Sequence, residues 1–171
     1  MPETRTDEVD RLLAAWTRER PELDTSPMAV LSRVTRLARH LDIARRDAFG
    51  AHELEAWEFD VLTALRRSGP PYRLSPGRLL RDTMVTSGTM TNRVDRLTDK
   101  GLVVRMPDPD DRRGVLVELT AEGRRRVDAA LDDLLAQERS LLDGLSIPQR
   151  ATLAGLLRSV VAPSVSMVGV T

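Results

Sequence analysis

Apolar residues recur at three- and four-residue intervals along most of the chain, the spacing that builds one helix face. Val9, Leu12, Leu13 and Trp16 mark a first helix over about 6–19. Pro21 ends it, because proline cannot continue the backbone ladder. Ser26-Pro27 reads as an N-cap followed by proline at the first helical position. The long helix it opens reaches about Phe49, with Val30, Val34, Leu37, Leu41 and Ala44 on one stripe. Glu55 to about Arg67 predicts a third helix whose apolar side is Trp57, Val61, Leu62 and Leu65, stopped by Gly69-Pro70-Pro71. Ser75-Pro76 opens a short helix to about Asp82. Thr86 or Ser87 caps the next, which runs to about Lys100 and closes at Gly101.

The period then changes. Leu102–Met106 and Val115–Leu119 are two short strand-like runs around the turn from Pro107 to Gly114. Helical spacing returns after Thr120, with Val127, Leu131, Leu134 and Leu135, then Leu141 and Leu142. A last helix starts at Ser146, where Ser146 and Gln149 form a capping box. Its Leu153, Leu156, Leu157 and Val160 are expected to face inward, and Pro163 ends it. A short helix, a turn, a second helix and a single hairpin describe a winged helix. The fold class is therefore mainly α with a small β-hairpin wing: a winged helix-turn-helix over 54–119 and a helical dimerisation region from 1–53 and 120–171. The flanking helices are too long and too apolar for that small unit to cover, so their stripes are expected to meet a second copy in a twofold dimer.

Composition narrows the chemistry. The chain has 171 residues, 41% hydrophobic and 30% charged, enough for a real core. Its aromatics are Trp16, Phe49, Trp57, Phe59 and Tyr72, so the core must be mostly aliphatic, which suits packed helices. Cysteine is absent, which removes disulfides, thiolate zinc sites and cysteine nucleophiles. No stretch is apolar enough for a membrane span and the polar, acidic start is no signal peptide, so a cytoplasmic protein is expected. No phosphate-binding glycine loop and no zinc-protease motif occurs, and His40 and His52 are the only histidines. A small enzyme is therefore the weakest alternative, and no cofactor is implied. Formal net charge is zero, so composition alone does not point to nucleic acid. Locally, however, Arg66, Arg67, Arg73, Arg78 and Arg81 share a stretch with no acidic residue.

The helix after Thr86 carries the chemistry. At about 100° per residue, Met90, Val94 and Leu97 form one buried stripe. Gly88, Asn92, Asp95, Arg96 and Asp99 fall opposite, with Ser87, Thr89 and Thr91 near the front or on the flanks. Small hydroxyl residues and Gly88 at a helix N-terminus permit close approach to a groove and favour phosphate. Asn92 and Arg96 have the donor geometry for adenine and guanine edges. Arg93 comes out about 60° from the Met90 stripe, on the buried flank, where it needs an anionic partner; Asp60 is the candidate.

Two strings, Thr86-Ser87-Gly88-Thr89-Met90-Thr91-Asn92-Arg93-Val94-Asp95-Arg96-Leu97 and Asp108-Pro109-Asp110-Asp111-Arg112-Arg113-Gly114-Val115-Leu116-Val117-Glu118-Leu119-Thr120, resemble the MarR family of transcriptional regulators. The resemblance implies a homodimer that binds a near-palindromic duplex operator, commonly as a repressor released by a small ligand. It places Ser75, Ser87, Gly88, Thr89, Thr91, Asn92 and Arg96 against DNA and sends Arg112 or Arg113 into the minor groove. Asp108 and Asp111 would pair with those arginines and fix the wing. A urate-responsive branch with an additional N-terminal helix offers a narrower resemblance, through Trp16, Asp60 and Arg93. It implies a small anionic ligand such as urate or xanthine, stacked on Trp16, drawn to Arg93 and repelled by Asp60. The competing reading is a helical dimerisation and ligand-binding module with no DNA target.

Overall fold

The computed structural model describes residues 6–83, 86–111 and 114–161. In chain order the elements are α1 (Glu8–Glu19), α2 (Ser26–Gly50), α3 (Ala56–Arg67), β1 (Arg73–Leu74), α4 (Pro76–Thr83), α5 (Ser87–Asp99), β2 (Val103–Pro107), β3 (Val115–Leu119), α6 (Ala121–Leu141) and α7 (Ile147–Val161). The architecture is a winged helix-turn-helix framed by long helices. None of the described helices is long and apolar enough to cross a membrane.

One cluster of buried side chains joins the end of α2 to α3, α4, α5, the sheet and α6. Val61, Leu62, Leu65, Leu79, Met90, Val94, Leu97, Leu102, Val103, Val117 and Val127 are among its most enclosed members. Phe49 and Phe59 stack within it, ring centroids 4.1 Å apart, and pin α2 to α3. Truncating any one of these Leu residues to Ala is expected to cost about 2–5 kcal/mol, since so tight a site collapses poorly.

The hairpin pairs as its alternation predicts, with Val103 opposite Leu119 and Pro107 opposite Val115. The sheet nevertheless has three strands in the order β1-β3-β2, because Arg73 and Leu74 pair with Glu118 and Val117. Two residues have no period of their own, so this strand escapes sequence reading.

Helix ends follow local rules only in part. Gly101 takes φ 69° after α5, and the Leu102 amide turns back to the Leu97 carbonyl at 2.9 Å. Only glycine adopts that left-handed position without strain. Ser26, however, is the first helical residue and not the cap; its amide donates to Asp24 Oδ1 at 2.9 Å. At α7 the Ser146 amide donates to Gln149 Oε1 at 2.8 Å, the half of the capping box that the structure shows.

The stripe of α7 corrects an expectation. None of its residues is buried, and Leu156 is 62% exposed. Leu153, Leu156, Leu157 and Val160 instead look across an open apolar cleft of about 500 Å³ at Val30, Val34 and Leu37 of α2. Periodicity identifies an apolar side but not what covers it. On α1, likewise, only Val9 is buried, while Leu12 and Trp16 remain exposed.

Candidate nucleic-acid interface

Helix α5 divides into two faces. Met90, Val94 and Leu97 are sealed in the core, whereas Ser87, Gly88, Thr89, Thr91, Asn92, Asp95 and Arg96 are exposed. Its N-cap Thr86 makes no side-chain bond to the helix backbone; its hydroxyl lies 2.9 Å from that of Thr89. The amides of the first turn, which no helix can pair internally, thus stay available at an exposed end. Thr91 returns its hydroxyl to the Ser87 carbonyl at 3.3 Å. A side chain at Gly88 would meet nothing within 4 Å, so glycine is not demanded there by the fold of the chain itself. Ser75 lies at the other end of the motif, where its hydroxyl accepts the Arg78 amide at 3.3 Å and caps α4.

Arg96 does not project straight outward. Its guanidinium lies 4.7 Å from the centre of the Trp57 ring and donates to Glu55 Oε1 at 2.5 Å. Arg93 also lies over Trp57, at 5.4 Å. No ion pair, hydrogen bond or ring contact joins Trp16, Asp60 and Arg93 among the described residues. Asp60 is exposed, one turn further along α3 than the ring that Arg93 covers. Trp57, Glu55 and Arg105 were not singled out as site residues by the sequence. Arg105, on β2, holds Asp95 at 2.6 Å and reaches the Thr91 carbonyl at 3.4 Å, which ties the wing to α5. Strand alternation, which puts it on the same face as the buried Val117, is a signal that could have found it.

The positive stretch is weaker than its sequence suggests. Arg66 pairs with Asp128, Arg73 with Glu118 and Arg78 with Asp82. Arg67 and Arg81 have no carboxylate partner among the described residues.

At the wing, Asp108 Oδ1 accepts the Asp110 amide at 3.0 Å, and the Asp108 and Gly114 amides close the turn. A side chain at Gly114 would come within 2.8 Å of Asp108 Cβ and 3.1 Å of Asp111 Cβ, so the turn leaves no room for one. Arg112 and Arg113, expected at the tip, lie outside the described residues, as does their pairing with Asp108 and Asp111.

Comparison with known proteins agrees with this geometry. A profile of the MarR family matches residues 52–114, the helix-turn-helix and most of the wing. The transcriptional regulator PecS of Dickeya dadantii is 37% identical over 150 residues, covering 88% of this chain and 90% of its own. Among solved structures, a mutant of MarR from E. coli in complex with operator DNA superposes with a TM-score of 0.64 at 27% identity, covering 85% of this chain and 96% of that one. BpsR of Bordetella bronchiseptica, described through regulation of its DNA binding by 6-hydroxynicotinic acid, gives 0.61 at 30% identity, covering 77% and 91%. A likeness that runs nearly end to end in PecS, with a family profile over the helix-turn-helix and most of the wing, has a single meaning: this chain belongs to the MarR family of transcriptional regulators.

Proposed function

We propose that this regulator binds a near-palindromic duplex operator as a homodimer and represses, with residues 54–119 reading DNA and the flanking helices joining two copies. The observation that carries the reading is the division of α5. A sealed apolar face fixes its axis, and an exposed face of Ser87, Gly88, Thr89, Thr91 and Asn92 offers groove-sized donors and acceptors. The relatives support it: one solved neighbour is held on operator DNA, and NicR of Pseudomonas putida is a transcriptional repressor by name. Two-fold symmetric readers protect two half-sites about 10 bp apart, centre to centre. Footprinting on a duplex selected from a random pool tests this. A single protected half-site, or none, removes the reading.

The ligand reading is that Trp16, Asp60 and Arg93 answer to a small planar anion, urate or xanthine among them. Its support is that Arg93 lacks a carboxylate partner among the described residues and rests on an aromatic face from which an anion can draw it. Such a ligand shifts an element whose position governs DNA binding. Urate and xanthine are expected to raise the melting temperature and release DNA, while Arg93→Ala binds DNA and ignores them. A variant released as readily as the parent defeats this reading.

A further inference from the structure

Arg93, Arg96 and Lys100 stand at i, i+3 and i+7, one face of α5. All three engage the start of α3. Left alone, guanidinium groups three residues apart repel and swing into water. Here the Trp57 ring lies under both, and the Glu55 carboxylate supplies the countercharge. Both carboxylate oxygens are used: Oε1 accepts from Arg96 at 2.5 Å and Oε2 from the Trp57 indole N–H at 2.7 Å. Glu55 is itself anchored, because its amide donates to Glu58 Oε2 at 2.9 Å. Glu58 is the one charged side chain fully buried among the described residues. Lys100, the only lysine in the chain, places its ammonium 2.9 Å from Oε2 and 2.7 Å from Oε1. The seat is therefore fixed to α5 at both of its ends.

We propose that Glu55 and Trp57 are positioning residues of the DNA interface, holding the Arg96 guanidinium by its plane and one N–H edge so that its other edge meets the groove already oriented. This rests on the reading of α5 as the DNA-facing helix. Arginine is long and loses rotamer freedom when it docks; a side chain ordered before binding loses less at the moment of contact. The same pairing screens a carboxylate that would otherwise repel phosphate beside α5. The trio also explains the low setting of the Glu55 carboxyl, held below the ordinary range first by the indole hydrogen bond and then by the Arg96 charge.

The decisive variant is Glu55→Gln, at an exposed position where the fold does not depend on burial. Arg96 and Trp57 donate to different oxygens, and a glutamine in the same rotamer presents an NH2 to one of them, so it cannot serve both donors where they now stand. Binding is measured on a duplex selected by the parent protein and on a scrambled duplex of equal length. Discrimination between the two is expected to fall about tenfold, in the range of a lost base contact. Affinity for the scrambled duplex should stay level or rise, since a negative charge is removed. Trp57→Phe keeps a ring face and loses the indole donor, and should lose part of the discrimination. In the Arg96→Ala background Glu55→Gln should add nothing. A parallel loss on both duplexes, unchanged discrimination, or additive losses would overturn the proposal. Arg96→Ala separates it from the reading beneath it. If the parent itself does not discriminate, the reading of α5 falls and the positioning role with it; if the parent discriminates and Arg96→Ala does so equally, or if Arg96→Ala loses discrimination while Glu55→Gln and Trp57→Phe keep it, only the positioning role falls.

Discussion

Gly123 shows how one missing side chain sets the angle of an entire helix. It lies in the first turn of α6, where a Cβ would sit 2.1 Å from the Leu102 carbonyl oxygen and 3.0 Å from a Leu119 methyl. That carbonyl cannot retreat, because it accepts the Thr120 amide at 3.1 Å and the Thr120 hydroxyl lies 3.0 Å away. The hydroxyl in turn accepts the Gly123 amide at 2.9 Å and caps α6. Cap and close approach are thus one device, and it docks α6 against the entrance of the wing. Gly123→Ala should destabilise by about 2–3 kcal/mol, the order expected of overpacking against backbone that cannot move. Urea unfolding would measure it. A midpoint within error of the parent would mean that α6 tilts freely, and the account of its docking would be wrong. Nothing in the local sequence announces this glycine, since helices carry glycine without close contacts too; Gly155 of α7 meets nothing within 4 Å. Gly101, by contrast, was readable because it follows directly on the last turn of a periodic segment. The seat of Arg96 was unreadable for a different reason. A helical wheel gives the direction of a Cα–Cβ bond, and the last four bonds of an arginine go wherever a carboxylate and a ring invite them.

At the scale of the element, α1 is a helix held mainly by polar contacts. Among its described residues only Val9 is buried, and polar contacts do the rest: Arg33 reaches Asp7 at 2.9 Å and Asp10 at 2.7 Å, and Arg36 pairs with Glu8. Exposed ion pairs contribute little each, so the helix should open locally without unfolding the core. The Asp7 carboxyl is held down at about 2, first by the Asp10 amide and then by Arg33. A carboxylate set below its unfolded value stabilises above that unfolded value and loses the contribution as pH falls toward the folded one. Detachment of α1 is therefore expected between about pH 4 and pH 2, ahead of core unfolding, and Arg33→Ala should produce it at neutral pH. Hydrogen exchange over 8–19 reads it directly. Unchanged protection in Arg33→Ala would show that Val9 and its neighbours suffice. Apart from β1, the element order was legible from sequence because helices and strands announce themselves by period. The partner of each apolar stripe was not, and α1 and α7 are the elements for which that matters.

Across the whole molecule the two kinds of core differ. The winged helix and α6 close around their own aliphatic residues, while α2 and α7 leave Val30, Val34, Leu156 and Val160 facing a cleft of about 500 Å³ that is open to water. Burying a leucine or valine fully is worth about 1.5–3 kcal/mol, so the exposed members of this cleft forgo several kcal/mol in a single chain. A second copy can recover that from both sides at once, which is the symmetric case in which identical patches cover each other. Association loses translational and rotational freedom worth about 4–15 kcal/mol, and four such residues per copy are of the right order to exceed it. Leu156→Asp places a charge in the cleft without touching the enclosed cluster around Leu62 and Leu97. Sedimentation should show the parent as a dimer at micromolar concentration and the variant as a monomer with the helical content of α3 to α6 intact. The parent's melting temperature should rise with protein concentration and the variant's should not. DNA binding provides the link to function: two half-sites joined through one dimer gain about a hundredfold or more over either alone, so the monomeric variant should lose at least that on the full duplex and little on an isolated half-site. Should Leu156→Asp remain dimeric with parental affinity, the cleft is not where two copies meet, and α7 must serve some surface other than its own twin.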